Sequence, residues 1–146
     1  MVMILSLILI PAQCIAEEPM FRGLLMQTLG SWFNIPVLAI IIQAIIFSVV
    51  HSYNNIGVIS VFCSGLVYGW LSWRTNGLEA VSAMHSINNL MAFYVVALGI
   101  SSISSNVSYW DFAIILLIDL ISAAAVYYIG DKKGWFDEET PENKLI

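Results

Sequence analysis

Long apolar runs separated by short polar breaks divide the chain, and each run predicts a membrane helix. The first covers Met3 to Leu29. Pro11 and Pro19 are the places to expect a bend in it, because each ring removes the hydrogen bond to the carbonyl four residues earlier, Leu7 or Ile15. The second runs from Pro36, a residue suited to a helix start, to Tyr53. Asn54-Asn55-Ile56-Gly57 is a turn signal, and the third segment continues from it to Trp73. Gly65 and Gly69 lie in that segment, four apart, a spacing that lets helix backbones approach closely in lipid. After the polar connector Arg74-Thr75-Asn76-Gly77, the fourth segment covers Leu78 to Ile100, with Glu79 in its first turn, where the helix dipole favours an acid. Ser101 to Ser108 reads as a serine-rich loop. Ser108-Tyr109-Trp110-Asp111 matches a capping box, so the fifth helix starts there and runs to Ile129. Each segment is near the roughly 20 residues that span a hydrocarbon core, the third being the shortest. The pattern therefore predicts an all-α, polytopic transmembrane helical bundle of about five segments over residues 1–130, followed by a charged tail over 131–146.

The opening residues allow a second reading. Val2 to Ile10, followed by Ala12-Gln13-Cys14-Ile15-Ala16, resembles a signal peptide cleaved after Ala16. However, no Lys or Arg precedes the apolar run, and the apolar pattern resumes with Gly23-Leu24-Leu25-Met26. One continuous helix is the preferred reading.

Composition sharpens the membrane assignment. The chain has 146 residues, one domain's worth; 60% are hydrophobic and only 10% charged, against about 25% charged in soluble proteins. Its mean hydropathy is +0.87. Eight of the fifteen charged residues follow Gly130, so the helical part is more apolar still. The formal net charge of −5 comes largely from Asp137, Glu138, Glu139 and Glu142 in the tail. With no basic patch, nucleic acid is excluded as a partner; membrane lipid is the implied surrounding. Cys14 and Cys63 have no metal-type spacing and read as free, buried thiols. Trp32, Phe33, Trp70, Trp73, Tyr109, Trp110, Tyr127 and Tyr128 fall at segment ends, as interfacial aromatics do. Arg74 and the Lys132-Lys133 pair share one side if the last two segments span, which the positive-inside rule makes cytoplasmic, with the N-terminus outside.

Against that background the polar residues inside the apolar runs stand out. Glu17, Glu18 and Arg22 sit within the first segment, and no further Asp, Glu, Lys or Arg appears until Arg74. An ionised side chain in lipid costs a few kcal/mol or more and is a functional hypothesis by default. Glu18 and Arg22 are four apart with the acid first, the favourable order for a helical ion pair. That leaves Glu17 on another face without an obvious local partner. His51 follows Phe47 by one turn in the second segment; His85 precedes Asn89 by one turn in the fourth, with Asn88 beside it. At 1.5 Å per residue, the two histidine sites lie roughly 12 to 22 Å from their segment starts, so they and Glu17 can meet at similar depth. Neutralised charges and interhelical hydrogen bonds explain each residue separately. Together, a carboxylate, two imidazoles and an amide are the groups needed to activate water and to hold an oxyanion. Asp119, midway along the fifth segment, is open to pairing with Arg22 or to bonding a tyrosine. Intramembrane acids also mark ion paths, which keeps a transporter or channel in view.

Glu17-Glu18-x-x-x-Arg22, Phe47-x-x-x-His51 and His85-x-x-x-Asn89 resemble, in order, the three motifs of the CPBP family. These are the CAAX-processing and bacteriocin-processing intramembrane endopeptidases, also called Abi proteins and related to the type II CAAX prenyl endopeptidases. The context is similar too, in Glu-Glu-Pro-Met-Phe-Arg-Gly-Leu-Leu around the first motif and in Gly65-Leu66-Val67-Tyr68-Gly69 and Arg74-Thr75-Asn76-Gly77 before the third. The resemblance covers about residues 10 to 95. It implies a glutamate-type intramembrane protease acting on a peptide or a prenylated protein. In that picture Glu17 activates water with the help of His51, His85 and Asn89 form the oxyanion hole, and Glu18 and Arg22 are the supporting pair. No cofactor is implied. The family was earlier regarded as metal-dependent, and Glu17, His51 and His85 are the three residues that could ligate zinc in that alternative. Family members usually carry further membrane helices ahead of the Glu-Glu motif, whereas this chain has room for one. The short chain leans towards a bacterial cell membrane. A non-enzymatic immunity or interaction protein on the same scaffold is the competing expectation.

Overall fold

The computed structural model describes residues 1–100 and 106–136. Most of the serine-rich loop and the acidic tail lie outside the described residues. Among those described, five helices account for the fold: α1 (Val2–Phe33), α2 (Pro36–Val49), α3 (Asn55–Thr75), α4 (Glu79–Ala97) and α5 (Tyr109–Lys133). The all-α bundle predicted from the sequence is the observed architecture. Four of the helices, all but α2, are long and apolar enough to cross a membrane. Their apolar side chains face outward in number, among them Ile8, Leu24, Ile59 and Leu117. The protein is a multi-pass membrane protein.

Helix α1 passes Pro11 as an α-helix and changes only at Pro19, where Pro19–Leu25 forms one stretch of π-helix. Pro19 has no N–H to give to Ile15 and its ring crowds that carbonyl. The backbone widens to five-residue spacing, so that Met26 N–H reaches the Phe21 carbonyl. The helix then continues to Asn34, which ends it in the left-handed conformation (φ 53°).

The second segment is shorter than predicted. It stops at Val49 rather than Tyr53, so α2, not α3, is the shortest helix. Its 14 residues rise about 21 Å, short of a hydrocarbon core of about 30 Å. The cause is local. His51 turns its ring back so that Nδ1 bonds the Phe47 carbonyl at 2.7 Å, while its N–H goes to Ser48. Asn54 then begins α3 by accepting the Gly57 N–H. At the other starts, Glu79 lies in the first turn of α4 as predicted, and Ser108 and Asp111 form the predicted capping box on α5.

Helix α3 packs between α2 and α5, while α1 runs antiparallel along α4. Gly65 and Gly69 of α3 make the α2 contact possible. A Cβ on Gly65 would sit 3.1 Å from Ala44 Cβ and 3.2 Å from Ala44 Cα. That close approach lets buried Gln43 donate from Nε2 to the Gly65 carbonyl at 3.0 Å. The two ends of the bundle are defined by polar ties. Asn54 Nδ2 donates to the Val107 carbonyl at one, and Arg74 Nη2 to the Tyr127 hydroxyl at the other. Arg74 thus lies at the end of the bundle that carries Lys132 and Lys133.

Candidate active site

Glu18 and Arg22 lie where α1 meets α2, α3 and α4, and both are completely buried. They pair across one turn, Arg22 Nη1 donating to Glu18 Oε1 at 3.1 Å. Aromatic rings cover the guanidinium: its central carbon is 4.3 Å from the Phe47 ring centroid and 5.6 Å from that of Tyr68. Desolvation by these rings strengthens both the cation–π contacts and the ion pair.

The same Glu18 Oε1 receives His85 Nδ1 at 2.8 Å. An oxygen already accepting from a guanidinium is an acceptor here, so His85 Nδ1 carries the proton and donates it. In the neutral ring, Nε2 then holds the lone pair. It accepts from Asn89 Nδ2 at 3.3 Å and faces Glu17 Oε2 at 3.9 Å. The carboxylate beside Arg22 therefore does more than neutralise it: Glu18 fixes which nitrogen of His85 is turned to Glu17. Glu17 is about a quarter exposed, and Gln13, one turn earlier, donates to its Oε1 at 2.9 Å. The spacing of Gln13 and Glu17 was present in the sequence, but that partner was missed there. Asn89 also reaches Cys14 Sγ at 3.4 Å. Cys14 is free and fully buried; Cys63 is free and partly buried.

Glu17, Glu18, Arg22, His85 and Asn89 thus form one cluster. His51 approaches it through Phe47, whose ring centroid lies 4.7 Å from the His51 ring and 6.0 Å from the His85 ring. His51 lies just beyond the end of α2 rather than within a spanning segment. Its Nδ1 donates to the Phe47 carbonyl, which leaves Nε2 as the basic nitrogen. Among the described residues no three of His, Cys, Asp and Glu gather as metal ligands.

Two openings lie on the helices that carry the cluster, and one of them reaches it through Arg22. A groove of about 560 Å³ lies between α1 and α4, lined by Pro11, Ile15, Pro19, Ala83, Ser86 and Ile87. It is largely apolar, and none of Glu17, Glu18, Arg22, His85 and Asn89 lines it. On the other side, Arg22 and Ser72 border a cavity of about 60 Å³ next to Asn76 and Gly77. Arg22 Nε and Nη2 and Ser72 Oγ have no hydrogen-bond partner among the described residues, and a polar space of this size is large enough to admit water that would satisfy them.

Sequence reasoning also left Asp119 unplaced. It is fully buried and bonds to a tyrosine, not to Arg22: Tyr68 donates to Oδ1 at 3.0 Å and Ser64 to Oδ2 at 2.6 Å. No single spacing could have found this, because the partners come from α3 and Asp119 from α5.

The structure is a membrane-type helical bundle in which a carboxylate, an imidazole and an amide converge. The chain belongs to the family described as type II CAAX prenyl endopeptidase Rce1-like, whose model matches residues 1–91. It is also similar to an uncharacterized protein, YyaK, of Bacillus subtilis (strain 168), with 33% identity over 92 residues. That alignment covers 58% of this chain and 31% of the relative, so the chain spans about a third of the length of the curated protein it matches. No solved structure matches the chain.

Proposed function

We propose that this protein is an intramembrane endopeptidase of the CAAX-processing type, in which Glu17 activates the water that attacks a peptide bond. The observation that carries the reading is the Glu17–His85 approach at 3.9 Å, with Asn89 on the same imidazole nitrogen and Glu18 on the other. Glu17, partly exposed and held by Gln13, is the carboxylate free to take a proton from water. His51, with its basic Nε2, is the second acceptor able to orient that water. Asn89 supplies N–H donors for the developing oxyanion. His85 joins it once Glu17 has passed the water's proton on to Nε2, which leaves ionised Glu17 and Glu18 on either side of the ring to balance the charge. The setting we propose is a bacterial cell membrane, a reading supported by similarity to a Bacillus subtilis protein.

The test is cleavage of a farnesylated CAAX peptide and of its unprenylated counterpart by the purified protein in detergent or lipid vesicles, read by mass spectrometry. Glu17→Gln, His51→Ala and His85→Ala are each expected to lower the rate by roughly 10²–10³-fold, and a chelator is expected to leave the rate as it was. Unimpaired cleavage by all three variants would end the protease reading. Loss of activity to the chelator that zinc restores would replace Glu-activated water with metal chemistry.

A further inference from the structure

Asp119 takes no part in the chemistry proposed above, yet it is a carboxylate with no exposure, midway along a helix that faces mostly outward. Three buried residues are found on α5, and Asp119 is the polar one of Asp119, Ala123 and Gly130. Its partners are saturated. Asn88 Nδ2 is 2.6 Å from Asp119 Oδ1 and 2.8 Å from the Tyr68 hydroxyl, so its two N–H groups can serve one each. Tyr68 gives its own proton to Oδ1. These three side chains, from α3, α4 and α5, close a ring of hydrogen bonds. Ser64 fixes the remaining carboxylate oxygen from the next turn of α3.

The ring abuts the candidate site through two of its members. The Tyr68 ring lies 5.9 Å from that of His85, and the Arg22 guanidinium sits over it. Asn88 precedes Asn89 directly and comes three residues after His85, so holding its side chain fixes the rotation of α4 about its axis. Anchoring α5 alone would call for one bond to any neighbour. Here every bond of Asp119 goes to a residue of α3 or α4, and two of those residues stand against the site.

We propose that Asp119 is a positioning residue that sets His85 and Asn89 against Glu17 by holding Tyr68 and the α4 face through Asn88. It acts through hydrogen-bond geometry and not by carrying a proton. Asparagine at 119 can keep the arrangement: its oxygen accepts from Tyr68 and Asn88, and the Ser64 hydroxyl rotates to accept from its NH2. Alanine cannot keep it. This inference rests on the proposed site, but one of its readouts needs no turnover.

Two measurements on the full chain in detergent test it: kcat and KM per folded molecule with the farnesylated peptide, and the imidazole ¹⁵N resonances. The chain has only His51 and His85, and a His51→Gln reference tells their signals apart. Asp119→Ala is expected to lower kcat about tenfold or more with little change in KM, and to move the His85 resonances while those of His51 stay. Asp119→Asn is expected to remain within about threefold of the parent and to keep the His85 resonances in place. If Asp119→Ala does not fold, Tyr68→Phe, which keeps the ring and loses the donor, is expected to show the same signature more weakly. Unmoved His85 resonances in both Asp119→Ala and Tyr68→Phe would overturn the inference, as would an Asp119→Asn variant as impaired as Asp119→Ala. Should the parent protein cleave no peptide, the protease reading falls, while the resonances still decide the positioning role.

Discussion

Glu18 has two partners on one oxygen, and that sharing is what makes the buried charge tolerable. Arg22 alone would neutralise it; His85 adds a second donor, and Phe47 and Tyr68 shield the guanidinium. Taking one partner from a fully buried pair leaves an uncompensated charge, which costs far more than the net worth of the pair. Arg22→Met is therefore expected to destabilise the protein by about 3–5 kcal/mol, measured as thermal unfolding in detergent. Glu18→Gln combined with Arg22→Met should recover part of that loss, because it removes both charges. A single variant as stable as the parent would mean that water already solvates the guanidinium from the Ser72 side. At this scale the sequence made the Glu18–Arg22 pair readable from its one-turn spacing, but not the Gln13–Glu17 pair at the same spacing. It was silent on Glu18 to His85 and on Tyr68 to Asp119, because those contacts join residues 67 and 51 positions apart.

Among the elements, the π-helical turn at Pro19–Leu25 is the irregular one, and it lies directly after the two carboxylates. Such turns amount to one residue inserted into an α-helix, and they recur at functional sites. Removing that residue should restore a regular helix while turning the first half of α1 by about 100° relative to its second half. Deletion of Met20, an exposed residue, is expected to preserve or raise helical content by circular dichroism. The same deletion is expected to abolish peptide cleavage, since Arg22 would stay against Phe47 while Glu17 and Glu18 rotate off His85. A deletion variant that still cleaves would show that α1 can slip to compensate. Five helices were legible as long apolar runs, and the α5 start as a capping box. The end of α2 was not legible, because Val49 to Tyr53 continues the apolar pattern and only the bond of the His51 ring to its own helix closes it there.

On the scale of the whole molecule, the helices divide the labour. Helices α1 and α4 carry the reacting groups and frame the groove, α2 brings Phe47 and His51, and α3 with α5 holds the others in place. Their lengths are unequal: α1 rises about 48 Å over 32 residues and α2 about 21 Å over 14. The short member is a source of hydrophobic mismatch. A bilayer of ordinary thickness must either thin around the end of α2 or leave His51 below its surface, and thinning costs fractions of a kcal/mol per ångström. Reconstitution in phosphatidylcholines of about 14 and about 22 carbons per chain should thus give faster cleavage in the thinner membrane, by a few-fold. Equal rates would mean that neighbouring helices shield α2 from lipid. If the difference is found, the thickness of the host membrane sets the working rate, and a lipid environment becomes a regulator through one helix that is too short for it.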